Sequence, residues 1–215
     1  MDNYSIDGCG VIHQIRIEPF KYNREYVSKT YDEAYKSSVE SISHLRLGYL
    51  LAAMGRKPIS VLDFGYGNGA FLRACTRFKI KTYGTDVSGY DVPEGCKFVE
   101  FENIFDKEFD VVCFFDSLEH VEDMDFIQKL KTNYVIISVP ACHYRSLGET
   151  AGEKWFNNWK HRKPNEHLHH FDVISIIEFF KKHGYEIVVS GNPEDVVRTP
   201  VDDMENILTC VFKKI

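Results

Sequence analysis

Residues 60–73 read SVLDFGYGNGAFLR. Val61, Leu62 and Phe64 make a short apolar run between turn signals, Gly65, Gly67 and Gly69 then alternate, and residues 70–78 can wind into a helix. The pattern is strand, glycine turn, helix. Missing side chains let such a turn lie against a ligand, while the first amides of the helix face outward as free donors. A tight structural turn would use glycine in the same way, so a second feature is needed to point to binding. Seventeen residues beyond Gly69, the apolar and aromatic segment 80–85 ends in Asp86, where a nucleotide-binding βαβ unit places a carboxylate for ribose hydroxyls.

Around this unit, 215 residues suit one domain with an appendage. We divide the chain into an aromatic cap or lid segment at 1–36 and a main domain at 37–215. Lys and Arg number 26 against 32 Asp and Glu, a net charge of −6, with no block of like charges. That balance gives no footprint for nucleic acid or a membrane surface. The first residues, MDNYSIDGCG, lack the basic start and apolar centre of a signal peptide, and no stretch approaches a membrane span. The expected location is cytoplasmic. Six cysteines, at 9, 75, 96, 113, 142 and 210, show no CxxC spacing and read as small hydrophobes in a reducing compartment.

In chain order, Tyr22, Tyr26, Tyr31 and Tyr35 crowd the first segment, as a lid over a ligand or as a cap on the main domain. Residues 37–54 repeat apolar positions at Val39, Ile42, Leu45, Tyr49 and Ala52, an amphipathic helix that ends at Gly55 before Pro58. Strand-like segments follow at 60–64, 81–85, 97–101, 111–115, 135–139, 186–189 and 208–212, with helical connectors at 125–131 and 173–182. Between Asp86 and Cys96 the turn-rich SGYDVPEG is too short for a good helix, so one crossover is reduced. Such alternation predicts an open, mostly parallel α/β sheet whose ligands bind beyond the carboxyl ends of the strands, where strand order reverses.

The order of three motifs, VLDFGYGNGAFL, YGTDVS and FDVVCFFDSLEHVED, resembles the class I S-adenosylmethionine-dependent methyltransferases. LEHV, with the later HLHHF and HGYE, looks most like the broad group that includes the ubiquinone-biosynthesis O-methyltransferases. The resemblance implies a Rossmann-like fold, seven mostly parallel strands flanked by helices with the last strand antiparallel, and S-adenosylmethionine as cofactor. It implies that Asp63, Gly65, Tyr66 and Gly67 line the amino-acid end of that cofactor and that Asp86 accepts from both ribose hydroxyls. Glu102 and Asn103 are candidates for the adenine edge, and Phe115, Asp116 and Leu118 would flank the methionine moiety and the methyl. His120 is the candidate base, because an ordinary histidine titrates near pH 6.5; the competing role is a histidine that orients the LEH turn. The family's Pro-Gly-Gly turn before the fifth strand is replaced by LKTNYVIISVP, which leaves the acceptor side differently shaped.

Residues 140–171 form a long insert with both tryptophans, Trp155 and Trp159, and five of the nine histidines. A loop this long leaving the carboxyl end of a strand is expected to wall the acceptor pocket. In some enzymes that this chain resembles, an acid, the Glu-His pair and a later histidine hold a divalent metal. Asp116, Glu119 and His120 with His167, His169 or His170 match that pattern; the alternative is no metal and a packed histidine at the loop-helix junction. The expected activity is methyl transfer, oxygen favoured, to a small polar or aromatic/sugar-like metabolite, with no nucleic-acid or membrane partner. The weighed alternatives are a non-catalytic cofactor-binding scaffold and a nucleotide-linked dehydrogenase, whose fingerprint GxGxxG differs from the GxGxG found here.

Overall fold

A computed structural model of the protein describes residues 3–15, 18, 20–30, 38–198 and 204–215. Two short strands, β1 (Tyr4–Ile6) and β2 (Ile12–Gln14), and one helical turn, α1 (Arg24–Val27), precede the long helix α2 (Val39–Met54). Then come β3 (Ser60–Phe64), α3 (Ala70–Arg77), β4 (Lys81–Thr85), β5 (Lys97–Phe98), β6 (Glu108–Phe115) and β7 (Lys131–Pro140). The insert contains α4 (Glu149–Asn158) and β8 (His169–His170), and the chain continues through α5 (Val173–Lys182), β9 (Tyr185–Gly191) and β10 (Ile207–Lys214). Tyr31 and Tyr35 lie outside the described residues.

The main sheet has seven strands in the order β5-β4-β3-β6-β7-β10-β9, with β10 antiparallel to both of its neighbours. The chain runs outward from β3 to β5, then returns to pair β6 against β3. Strand order therefore reverses at the ends of β3 and β6, and a crevice opens there. Side chains alternate across the sheet as strand geometry requires: Val111, Cys113 and Phe115 pack with Leu47 and Leu50 of α2 and Phe71 of α3, whereas Val112 and Phe114 pack with Phe180 of α5 and Phe212.

The helical connector expected at 125–131 is corrected to a short 3-10 turn, Asp125–Lys129, because Lys131 already pairs with Glu108 as β7 begins. With no helix there, nor between Asp86 and Cys96, rings cover that face of the sheet. Phe64 stacks on Phe126 at 5.4 Å and touches Phe114 at 5.1 Å, and Phe101 closes on Phe126 at 5.7 Å. Offset and edge-to-face aromatic packing of this kind buries much area in few residues. The strand expected at 97–101 shrinks to Lys97–Phe98, and a 3-10 turn, Phe101–Asp106, takes over.

The insert is not a bare loop. Its β8 pairs with β2, joining Ile12 to His170 and His13 to His169, so that the N-terminal hairpin and the insert form one small sheet, β1-β2-β8. No helix among the described residues is long and apolar enough to cross a membrane.

Candidate active site

The glycine turn after β3 keeps the carboxyl end of the sheet open. Gly65 and Gly67 have φ of +78° and +53°, a region costly for residues with a side chain. A Cβ on Gly65 would also fall 2.8 Å from the Cβ of Ser117, so the crossing of this turn with the end of β6 tolerates no side chain. Asp86, just past β4, accepts hydrogen bonds from the amide of Gly67 at 2.8 Å and of Ser88 at 2.7 Å. One lone pair on each oxygen remains for a ligand.

Two adjoining cavities occupy the crevice, sharing Tyr26, Gly65, Gly67, Asp116 and His120. The larger, about 540 Å³, has Asp86 and Ser88 on one side and Phe64, Val87, Phe101 and Val121 around it. It offers an acid for a sugar and apolar walls for a base. The smaller, about 130 Å³, is walled by Arg46, Asp63, Tyr66, Phe115, Glu119 and, from the insert, His161, Lys163 and His167.

Asp63, one residue before the end of β3, is nearly sealed from water, and its Oδ1 has no hydrogen-bond partner. Burial pushes its carboxyl up to about 7, opposed by Arg46 and reinforced by the charge of Asp86. An orphaned buried acid beside an open cavity suits an ammonium group. Arg46 comes from α2 and stacks 4.3 Å over Phe115. It donates to Glu194 at 2.7 and 3.0 Å and to Asp116 at 2.8 Å. Asp116 is gripped a second time by Arg198, at 2.8 and 2.6 Å, and despite its burial the two guanidiniums hold its carboxyl far below the usual range. Its φ of +51° is unusual for a residue with a side chain, and the double grip keeps it there.

His120 stands where the two cavities meet. Its Nδ1 lies 2.9 Å from the carbonyl oxygen of Glu166 and 2.8 Å from the hydroxyl of Tyr22. A carbonyl only accepts, so Nδ1 carries the proton and Nε2 presents a lone pair. Burial lowers the pKa of the ring, which keeps it neutral. Beside it Glu119 is buried with neither carboxylate oxygen partnered, and burial together with Asp116 pushes its carboxyl up to about 8. His167 has an unpartnered Nδ1, and one ligand atom from each of Glu119, His120 and His167 lies within 4.8 Å of the others. Burial and the neighbouring His120 keep His167 neutral.

Among the residues singled out from sequence, Asp63, Gly65, Tyr66, Gly67, Phe115, Asp116 and His120 line the smaller cavity and Asp86 the larger. Three do not come to the crevice. Leu118 is fully buried in the apolar core, and Asn103, like Glu102, is exposed and lines a shallow depression with Glu100 and Lys107. Phe101, from the same 3-10 turn as Asn103, lines the larger cavity instead. Of the three later histidines only His167 joins Glu119 and His120. His169 is held by His13 at 2.8 Å and the carbonyl of Val121 at 2.6 Å, and His170 packs edge-on against Phe156 at 5.0 Å. Arg46 was missed, although a charge at four-residue spacing between Ile42 and Leu50 on the apolar stripe of α2 was a usable signal. Arg198 and Lys163 carried none.

Residues 36–190 match a family described as methyltransferase domain. No curated protein matches the chain in sequence. In structure it is similar to magnesium protoporphyrin IX methyltransferase from Synechocystis PCC 6803, at 16% identity and a TM-score of 0.58 over 89% of this chain and 92% of that one. It is also similar to 1,6-didemethyltoxoflavin-N1-methyltransferase from Burkholderia thailandensis, at 15% identity and a TM-score of 0.59 over 99% of both chains. A third is the plantazolicin methyltransferase BamL, at 20% identity and a TM-score of 0.56 over 88% and 90%.

Proposed function

The chain belongs to the methyltransferase domain family and takes S-adenosylmethionine as its cofactor, and from that premise we propose that it methylates an oxygen of a small polar, aromatic or sugar-like metabolite with His120 as the base. The observation that carries this reading is the place of His120, on the seam of the two cavities with its Nε2 lone pair free of any backbone partner.

The residues present fit the cofactor. Asp86 would hold the ribose hydroxyls, Phe64, Val87, Phe101 and Val121 would enclose the base, and Asp63 with Arg46 would meet the ammonium and carboxylate of the amino-acid tail. When bound, S-adenosylmethionine supplies an electrophilic methyl on a positively charged sulfur. His120 Nε2 takes the hydroxyl proton of the acceptor, which makes its oxygen a stronger nucleophile. Tyr22 and the Glu166 carbonyl fix the ring, and Phe20, Tyr22 and Tyr26 form a clustered roof that excludes water. The likeness of LEHV to ubiquinone-biosynthesis O-methyltransferases supports oxygen. The small-molecule names of the structural relatives, a protoporphyrin, plantazolicin and a didemethyltoxoflavin, support a metabolite acceptor. The test is release of S-adenosylhomocysteine in a pool of hydroxylated aromatics and sugars. His120→Gln should lower kcat by about 10² or more. Tight cofactor binding with no turnover on any member would favour the scaffold alternative.

One observation favours a second reading, in which a divalent metal activates the hydroxyl. Glu119, His120 and His167 converge with unpartnered donor atoms on Glu119 and His167, and one carboxylate with two imidazoles suits several divalent ions. Asp116 would stand outside this set, because both of its oxygens are taken by arginines. Elemental analysis of protein purified without a nickel column decides: no bound metal and no metal stimulation of turnover removes it.

A further inference from the structure

A second imidazole of the smaller cavity has its proton fixed by the protein. The side-chain amide nitrogen of Asn206 donates to the carbonyl oxygen of Arg198 at 3.0 Å, while its backbone is tied to Asp195 and Ala141. The side-chain oxygen of Asn206 is thereby set as an acceptor. It lies 2.9 Å from Nε2 of His161, so Nε2 carries the proton and Nδ1 the lone pair. Burial pulls the pKa of this ring down to about 4, which keeps it neutral.

His161 lines the smaller cavity and Asn206 does not, so Nε2 is engaged by the wall and Nδ1 is the ring nitrogen left for a ligand. Among the described residues nothing bonds Nδ1 of His161. Unlike Nδ1 of His167 it is not sealed from water. The ring cannot easily turn, with Trp159 edge-on at 5.5 Å and His167 parallel within 13° at 6.2 Å.

His120 lines the same cavity and repeats the arrangement with its nitrogens exchanged, the proton of Nδ1 on the Glu166 carbonyl and the lone pair on Nε2. One cavity of about 130 Å³ thus has two neutral imidazoles, each with its proton committed to the protein and a lone pair to offer. An acceptor with a single hydroxyl satisfies only one of them.

We propose that His161 is a specificity-determining residue whose Nδ1 accepts a hydrogen bond from a second hydroxyl of the acceptor, close to the one whose proton goes to His120. The acceptor is then a small polyphenol or polyol with two hydroxyls a few bonds apart, since both lone pairs serve one small cavity. An ether oxygen in the second place would set lone pair against lone pair and be rejected. This rests on the transferase reading above and adds to it the hydroxyl pattern of the acceptor.

The aromatic probes are 1,2- and 1,3-dihydroxybenzene, phenol and 2-methoxyphenol; the aliphatic pair is methyl glucoside and its 2-deoxy counterpart. Each is titrated by NMR into the protein with excess S-adenosylhomocysteine. In at least one arm the compound with the second hydroxyl should bind about five- to tenfold tighter than its partner lacking it, and that arm identifies the carbon frame. His161→Gln keeps a donor for Asn206 but lacks the Nδ1 acceptor, so there the preference should fall to within about twofold. Asn206→Ala, which keeps the ring and frees its proton, should shrink the preference as well and stands in if His161→Gln does not fold. Absence of the preference in both arms, tighter binding of 2-methoxyphenol than of 1,2-dihydroxybenzene, or a preference that survives both variants overturns the proposal. Calorimetry of S-adenosylmethionine on the wild-type chain separates the two readings. No cofactor binding with the preference intact removes the transferase and leaves His161 its role; cofactor binding without the preference removes that role alone.

Discussion

Replacing Asp86 with alanine tests the cofactor site most directly. A carboxylate offers about four lone-pair positions, and backbone amides of Gly67 and Ser88 occupy two of them. The two that remain match the two hydroxyls of a ribose. A hydrogen bond to a charged group contributes about 1.5–3 kcal/mol, so the loss of even one of the two sets a floor of about 10- to 150-fold on the weakening expected for Asp86→Ala. The released amides border an open cavity where water replaces the lost acceptor, so stability should fall by only about 1 kcal/mol, or about 2–4 °C in melting temperature for a chain of this size. The assay is calorimetric titration of S-adenosylhomocysteine into both proteins, with a thermal melt to show that the variant folds. An affinity within twofold of wild type in a folded variant would refute the placement of the ribose at the tips of β3 and β4.

Four other outcomes follow from the same geometry. Asp63 titrates at about 7 when folded against 3.8 as its ordinary value; a raised carboxyl contributes stability that is complete below pH 4 and lost as pH climbs through 7. Asp63→Asn should therefore gain on the order of 2–4 kcal/mol at pH 8 and nothing at pH 4, measured by urea unfolding at both values. Cofactor affinity in the wild type should rise between pH 6 and 8 as this acid ionises, and a flat profile by calorimetry would contradict its role as ammonium partner. Arg46→Met leaves the fully buried Glu194 with Arg198 alone, at 2.9 Å, and takes away half of the grip on Asp116; a loss of about 3 kcal/mol is expected, and a denaturation midpoint at the wild-type value would show the ion cluster to be dispensable. Gly65→Ala forces a Cβ against Ser117 at φ +78°, so destabilisation of about 1–3 kcal/mol together with lost cofactor binding should appear.

The sheet and the candidate site at its carboxyl edge were legible because their causes are local. Glycines at 65, 67 and 69, the apolar run before them and Asp86 after β4 are set by turn and strand chemistry within a few residues. What stayed hidden depends on partners far away in sequence. Arg46 meets Asp116 and Glu194, which lie 70 and 148 positions away; its place on the apolar stripe of α2 marks the charge as unusual but not which acids it meets. The 3-10 turn at Asp125–Lys129 replaced a helix because the sheet ahead of it claims Lys131, a tertiary demand stronger than propensity. The insert looked like a loop because β8 is two residues long and owes its existence to strand β2. Glu102 and Asn103 were named from the resemblance alone, and it is Phe101, on the same 3-10 turn, that lines the larger cavity.

The joining of β2 to β8 has a consequence for biogenesis. Residues 12–13 are translated more than 150 positions before residues 169–170, their pairing partners. During synthesis that hairpin must wait with one edge unpaired, and unpaired strand edges recruit whatever strand is at hand. The wall that His161, Lys163 and His167 give the smaller cavity can therefore assemble only after the ribosome has delivered the insert, so a stall anywhere between β7 and that point would leave a nascent chain with its larger cavity lined and its smaller one open.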